Sequence, residues 1–158
     1  MGSQSTIDLA YIAGFLDGDG SLMLQLKARQ HLPHRLMFTI CFYQDSRHEK
    51  PLSWIRRKLG IGYLSRRNDG MSELRVNGYA QTKIILGELL PYIKFKLPQA
   101  KAMYRAAWLL CEKKYLRKLD PKERERLVKY MLIVQGSNYA TRKKKSNSEL
   151  RAILDLTP

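Results

Sequence analysis

The sequence predicts an α+β fold in which a four-stranded antiparallel sheet carries helices packed on one face. Two observations predict this class. Strand-like segments occur as two pairs, and each pair follows a segment whose apolar residues recur at helical spacing. The order of the first half of the chain is therefore αββαββ, with further helices after it.

The first helix is expected to run from a capping-box-like start at Ser5 to about Gly18. The next two segments, residues 21–29 and 36–43, alternate in polarity or are rich in β-branched and aromatic residues, which predicts a hairpin. A second helix is expected to open at Ser46-x-x-Glu49 and to end at Gly60, which can adopt the left-handed conformation of a helix cap.

A second strand pair is predicted at residues 62–67 and 73–77, joined by Asn68-Asp69-Gly70, residue types that accept a tight turn. Further helices are expected at residues 80–90, 98–115, 121–135 and 147–156. For the third of these, Asp120 is the expected N-cap, and Gly136 is expected to lie beyond the end. We expect residues 1–158 to form one domain, with a basic loop and a C-terminal helix at about 137–158.

The charge balance points to a polyanionic partner. The 158 residues include 29 Lys and Arg against 14 Asp and Glu, a formal net charge of +15. A hydrophobic fraction of 44% indicates a folded domain, because a disordered basic tail is poor in apolar residues. No apolar run approaches the roughly 18 residues that a membrane-spanning helix needs. Nucleic acid is thus the expected partner, and a membrane is not.

The two cysteines, Cys41 and Cys111, lie in apolar stretches without paired spacing. This pattern suggests neither a disulfide framework nor a zinc site. It is typical of an intracellular, reduced protein.

One face of the predicted sheet is rich in long hydrogen-bond donors. Such side chains read base edges in the DNA major groove, which is wide enough for a two-stranded ribbon. The alternative is an ordinary polar solvent face. The predicted DNA-contacting strand residues are Gln25, Lys27, Arg29, Arg35, Ser65, Arg67, Glu73 and Arg75, with Met23, Tyr63 and Asn77 on the same face.

The basic run at residues 141–145 has two interpretations. It is either solvated surface or a clamp for DNA phosphates, and the overall charge favours the clamp. The clamp residues are predicted to be Arg142, Lys143 and Lys144.

The most informative segment is residues 11–21, YIAGFLDGDGS. Ala10, Gly14 and Gly18 recur at four-residue spacing, so two such helices can approach each other closely along this face. The helix then presents Asp19 at its C-terminal tip. Its carboxylate and the negative end of the helix dipole favour a divalent cation, with the Gly18 carbonyl as a further oxygen ligand. Taken alone, the segment could equally be a turn after a helix.

This segment resembles the LAGLIDADG motif of homing endonucleases. The similarity extends over nearly the whole chain, in the element order of the single-motif, homodimeric members, and includes GIGY at 60–63, LPYIKFKLPQA at 90–100 and ELRAILD at 149–155. The resemblance implies a site-specific DNA endonuclease that makes metal-dependent, staggered double-strand breaks with 3′ overhangs in a long, partly palindromic target. Because the chain holds one motif, the two active sites of a homodimer would come from two chains, meeting along Ala10, Gly14 and Gly18.

The resemblance also implies roles for individual residues. Asp19 would be the catalytic metal ligand, Gln44 a solvent-positioning residue and Lys96 a basic active-site group, with a further basic group at Arg47 or His48. The alternatives are that Gln44 is an ordinary strand-end residue and that Lys96 lies on the surface. Asp17 is expected to have a helix-end role without metal contact. Magnesium is the expected ion, since it prefers oxygen ligands.

Two other functions remain open for a chain of this resemblance. One is an RNA-binding maturase that assists intron splicing, with RNA as a partner. The other is a DNA-binding regulator that has lost cleavage. The resemblance is compatible with a chloroplast or mitochondrial location and with the cytoplasm of a prokaryote.

Overall fold

The structure, a computed structural model, describes residues 5–139 and 143–156. In chain order its elements are α1 (Thr6–Asp19), β1 (Gly20–Arg29), β2 (Leu32–Asp45), α2 (Lys50–Leu59), β3 (Tyr63–Arg66), β4 (Met71–Asn77), α3 (Tyr79–Leu89), α4 (Leu97–Lys113), α5 (Pro121–Ser137) and α6 (Asn147–Ile153). Short 3₁₀ turns occupy Ser46–His48 and Leu116–Lys118. The predicted α+β class is confirmed.

The four strands form one antiparallel sheet in the order β1-β2-β4-β3. Strand β2 is the central scaffold and extends beyond the predicted residues 36–43 in both directions. Its start pairs with β1, where Arg29 faces Leu32, and its end pairs with β4, where Asp45 faces Met71. These polar ends escaped the sequence prediction because backbone pairing holds them in the strand, while their composition carries no strand signal.

Alternation along the strands separates a core face from an open face. Leu22, Leu24 and Leu26 of β1 are buried, and their cross-strand partners include Ile40 and Phe38. These side chains belong to a hydrophobic cluster that also takes buried residues from α1, α2, α3, α4, α5 and α6. The helices therefore cover one face of the sheet, and on the opposite face side chains such as Gln25 and Lys27 are exposed.

The helix caps partly follow the prediction. Gly60 ends α2 in the left-handed conformation with φ 68°, and Asp120 forms a capping box with Glu123 at the start of α5. The predicted cap at Ser46 is wrong. Asp45 caps the 3₁₀ turn by accepting a 2.8 Å hydrogen bond from the Arg47 backbone N–H, and α2 begins only at Lys50.

Gly136 was expected to lie beyond α5, and this prediction is also wrong, because the helix continues to Ser137. The Asn138 side chain follows and donates a 2.8 Å hydrogen bond to the Leu22 carbonyl of β1. This contact ties the end of α5 to the edge strand of the sheet. The last helix, α6, ends at Ile153, short of the predicted residue 156.

Within the described ranges, no helix combines the length and apolarity needed to cross a bilayer. Of the residues predicted to contact DNA, Arg142 lies outside the part of the chain that the structure describes.

Candidate active site

A cleft of about 730 Å³ opens at the C-terminal end of α1. Its walls come from segments far apart in the sequence: the α1–β1 junction, the end of β2, the β3–β4 turn, the start of α4 and the residues that follow α5. The lining residues used below are Gly18, Asp19, Ser21, Tyr43, Arg67, Asp69, Phe95, Lys96 and Tyr139.

Asp19 is the last residue of α1, and its exposed side chain lines this cleft. The chain passes from the helix into β1 at Gly20 without a loop. A Cβ atom at Gly20 would lie 2.7 Å from the Leu16 carbonyl oxygen, so only glycine fits at this junction. The tight junction fixes Asp19 at the end of the helix, where the negative end of the helix dipole also lies.

Asp17 lies two residues earlier and binds the turn before α4. Its Oδ2 accepts hydrogen bonds from the backbone N–H groups of Lys94 (2.7 Å) and Phe95 (3.1 Å), and its Oδ1 accepts one from Lys96 (2.9 Å). The Lys96 Nζ donates to the Asp17 main-chain carbonyl. The expected helix-end role of Asp17 is therefore a contact between residues 79 positions apart in sequence.

Lys96 is buried, with 6% of its surface exposed, although Phe95 beside it is 72% exposed. The alternative that Lys96 lies on the surface is therefore wrong. Burial lowers the pKa of Lys96, whereas the negative charges of Asp17 and Asp19 act in the opposite direction. The structure thus brings Lys96 and Asp19 into one cleft, as their predicted shared role requires.

Gln44 lies in β2, paired with the buried Ser72, and by strand alternation shares the helix-covered face of Phe42. Its Oε1 accepts a 2.9 Å hydrogen bond from the Asp45 N–H. The side chain is not among those that line the cleft. Its solvent-positioning role stays a prediction.

Arg47 and His48 are also absent from the cleft lining and lie exposed in the 3₁₀ turn. The Arg47 guanidinium pairs with the Asp45 carboxylate at 2.7 Å, which raises the pKa of Arg47 and lowers that of Asp45. The structure does not favour either residue as the further basic group, and that role stays a prediction.

Sequence reasoning missed Tyr43 as a residue of the cleft. The Tyr43 hydroxyl and Ser21 Oγ are 3.2 Å apart and hydrogen-bonded, and the Arg67 guanidinium lies 6.0 Å from the centre of the Tyr43 ring. Burial raises the pKa of Tyr43. Because both faces of β2 carry apolar or aromatic residues, alternation could not reveal that Tyr43 faces the cleft.

The open face of the sheet carries the strand residues predicted to contact DNA. Register places Lys27 opposite Arg35, and places Glu73 between Tyr43 and Ser65 on the neighbouring strands. Arg29 is an exception to the simple alternation, because the register shifts there and its Nε donates to the Pro33 carbonyl at 3.0 Å.

Glu73 organises the centre of this face. Its carboxylate lies 3.0 Å from Arg75 and 4.0 Å from Arg67, and Arg67 also pairs with Asp69 at 2.7 Å. The Arg75 Nε is buried and has no hydrogen-bond partner among the described residues. The arginines are therefore held in defined orientations on a face that is otherwise open.

The lysines of the basic run lie beside β1. Lys143 and Lys144 line a groove of about 750 Å³ together with Gln25 and Lys27. Gln135 of α5 holds this segment, since its Nε2 donates to the Lys145 carbonyl (2.5 Å) and its Oε1 accepts from the Lys145 N–H (3.3 Å). The basic segment thus continues the charged face of the sheet.

The exposed side of α1 carries the small residues Ala10, Gly14 and Gly18, opposite the buried residues of the helix. A Cβ atom at either glycine would meet nothing within 4 Å. Near the helix start, Tyr11 packs edge-on against Trp54 with ring centres 5.2 Å apart, beside an open groove of about 510 Å³. The face predicted for helix pairing is therefore accessible and partly apolar.

These features belong to a known family. The family model described as LAGLIDADG endonuclease matches residues 12–105, more than half of the chain, so the chain belongs to the LAGLIDADG endonuclease family. The resemblance inferred from the YIAGFLDGDGS segment is confirmed.

Two curated relatives are DNA endonucleases of green algae. The chain is 35% identical over 97 residues to I-CvuI of Chlorella vulgaris, and this alignment covers 60% of each protein. It is 26% identical over 149 residues to I-CreI of Chlamydomonas reinhardtii, covering 93% of this chain and 88% of I-CreI.

Solved structures extend the similarity to nearly the whole chain. A crystal structure of I-CvuI in complex with the I-CreI target, with magnesium present and the DNA not cleaved, has a TM-score of 0.76 at 27% identity and covers 94% of this chain and 93% of that one. The archaeal intron-encoded homing endonuclease I-Vdi141I, complexed with DNA, has a TM-score of 0.78 at 19% identity and covers 96% and 97%; it shows the shared fold.

Proposed function

We propose that this chain is a site-specific homing endonuclease that acts as a homodimer on a long, partly palindromic DNA target and leaves 3′ overhangs. One observation carries the proposal: α1 presents Asp19 in a cleft at the same end as the small-residue face suited to pairing with a second chain. The DNA-bound structures of I-CvuI and I-Vdi141I support the same mode of action.

The dimer follows from the accessible side of α1. Two α1 helices that meet along Ala10, Gly14 and Gly18 can approach closely, because no side chain stands between their backbones. Their C-terminal ends, each with an Asp19, would then lie near one another at the open face of the two sheets. In a two-fold assembly each sheet covers one half-site, which is why the target should be partly palindromic.

The donor set fits a hard divalent cation shared between chains. In the described parts of the chain, no cluster of three His, Cys, Asp or Glu residues could hold a metal within one chain. Asp19 and the Gly18 carbonyl offer the oxygen ligands that magnesium prefers, and a second chain would double them. A bound metal would activate water and neutralise charge at the scissile phosphate.

The chain's own residues would position the phosphate and stabilise charge. The ammonium of Lys96, held in the cleft, would stabilise the negative charge that develops on the phosphate oxygens. Arg67, stacked near Tyr43, would bind the same strand, and the proposed role of Gln44 in positioning solvent requires its side chain to turn from the Asp45 N–H.

Binding energy would come from the open face and the basic segment beside it. The strand residues Gln25, Lys27, Arg35, Arg67 and Arg75 would read bases or bind phosphates. Lys143 and Lys144, with Arg142, would clamp the backbone along β1.

The test is Asp19→Asn, assayed for double-strand cleavage in magnesium and for DNA binding in calcium. We expect cleavage to be abolished and binding to survive, because the substitution keeps the shape and removes only the charge. Asp155→Asn is the matched control, since the Asp155 side chain is 87% exposed and belongs to neither the cleft nor the sheet face.

Normal cutting by Asp19→Asn would overturn the proposed mechanism. If the unmodified chain binds DNA without cutting it, the chain is a regulator. If it cuts no DNA and instead promotes splicing of an intron RNA, it is a maturase. Each of these last two results would also overturn the proposal.

A further inference from the structure

We propose that Asp17 is a positioning residue, which holds Lys96 in the cleft beside Asp19 through two separate contacts. The inference rests on the proposed nuclease function, because it assigns to Asp17 a part in the same site. Neither the motif nor the comparisons assign this part.

The first contact is between the Asp17 carboxylate and the backbone of residues 94–96. Helix α4 begins at Leu97, and its N-cap residue, Lys96, makes no side-chain capping bond. Asp17 provides acceptors from α1 instead, since its two oxygens receive the three N–H groups that precede the helix. The path of the backbone into α4 is thus fixed by the end of α1.

The second contact is between the Lys96 ammonium and the Asp17 carbonyl. This carbonyl belongs to the last turn of α1, where carbonyl groups lack helical partners. The ammonium satisfies it, and the long lysine side chain is drawn back over the end of α1, two residues from Asp19. Lys96 is therefore held at both its backbone and its charged end.

The role is one of position more than of folding, because the turn has other anchors in the core. Ile93 on one side and Gln99 and Ala100 on the other are buried whatever residue stands at 17. Without the hydrogen bonds to Asp17, the connection between α3 and α4 should stay in place while residues 94–96 shift.

Asparagine cannot replace Asp17 in this arrangement. It keeps one acceptor oxygen, and its amide N–H group would face a backbone N–H donor. We expect Asp17→Asn to reduce the single-turnover cleavage rate in magnesium by about 100-fold, the scale of loss that a 1 Å misplacement produces. DNA affinity in calcium should change by less than about threefold, since binding depends on the sheet face.

A double-mutant cycle separates positioning from general damage. If Asp17 acts through Lys96, the double variant Asp17→Asn/Lys96→Met should cut no more slowly than Lys96→Met alone. Rate losses that simply multiply would overturn the proposal, as would a normal rate for Asp17→Asn. The matched control is Asp155→Asn, which removes a carboxylate far from the turn.

Amide hydrogen exchange tests the contact without any cleavage assay. The N–H groups of Lys94 and Phe95 belong to exposed residues outside helices and strands, and their hydrogen-bond acceptor is the Asp17 carboxylate. In the unmodified protein they should exchange well below the rate of an unstructured chain, and Lys96→Met should preserve this protection. Unprotected amides in the unmodified protein would overturn the proposal even if Asp17→Asn failed to fold.

These results are distinguishable from failure of the proposed function. A chain that cuts no DNA but protects these amides refutes the nuclease and leaves the Asp17 contact standing. A chain that needs Asp19 for cutting and tolerates Asp17→Asn refutes only the positioning role.

Discussion

Replacing Gly14 with leucine tests the proposed dimer, because its effects on one chain and on two chains have opposite signs. Within one chain, a Cβ atom at Gly14 meets nothing within 4 Å, so the new side chain causes no clash. Leucine also favours the helix over glycine by about 0.8–1 kcal/mol. The isolated chain should therefore become slightly more stable.

In the dimer the same leucine would stand between two backbones. Forcing a large side chain into a packed contact costs roughly 1–3 kcal/mol, and two-fold symmetry doubles this to roughly 2–6 kcal/mol. The dimer dissociation constant should then rise by about 30-fold to 10⁴-fold. The loss of activity should follow the loss of dimer.

The assay is sedimentation or light scattering across a dilution series, with thermal melting at a concentration where the chain is monomeric. Gly136→Leu is the matched control, because Gly136 also lies in a helix and has open space around an added Cβ atom. It should give a similar gain in monomer stability with no change in the dimer. If Gly14→Leu dimerises as tightly as the unmodified chain, α1 is not the interface.

Three further predictions concern the DNA face and the pH dependence of stability. Neutralising the lysines at 143–145 should flatten the log–log dependence of DNA affinity on salt by roughly 0.9 for each phosphate that is no longer neutralised, without altering sequence preference; an unchanged slope would make the run ordinary solvated surface. Arg75→Ala should relax the preference at one base pair per half-site, at a cost of about 1–3 kcal/mol, measured on a panel of substituted targets. A uniform loss across the panel would exclude direct reading by this arginine. Hydrogen bonds from Arg66 and then Ser72 lower the pKa of Glu49 from 4.5 to about 2. A carboxylate with a lowered folded pKa stabilises the fold above its unfolded pKa, so the stability lost in Glu49→Gln should be constant near neutral pH and shrink as pH falls from about 4.5 to about 2. A difference in melting temperature that persists unchanged at pH 2 would contradict this assignment.

Asp17 illustrates why the choice of controls needs the structure. From the motif alone, Asp17→Asn would serve as a harmless neighbour of Asp19→Asn, since a helix-end role and no metal contact are expected for it. The three backbone hydrogen bonds to residues 94–96 make that substitution disruptive instead. Asp155 is the better control because its side chain is almost fully exposed.

Local patterns in the sequence were enough to define most elements and their faces. Helical spacing and strand alternation are local properties, so they predicted α1, the two strand pairs and the open face with Gln25, Lys27 and Arg75. The motif alone located Asp19. Local patterns failed where tertiary contacts overrode them, as at Gly136, which the helix passes through because Asn138 is tied to β1.

Tertiary packing determines which of these side chains meet. Tyr43 faces the cleft and Gln44 lies on the covered side, a difference of one residue that follows from strand register. Lys96 looks like surface in its alternating charged segment, yet it is buried against Asp17, 79 positions away. Periodicity describes neighbours along the chain, whereas an active site is made by groups that only the packing of the whole domain brings together.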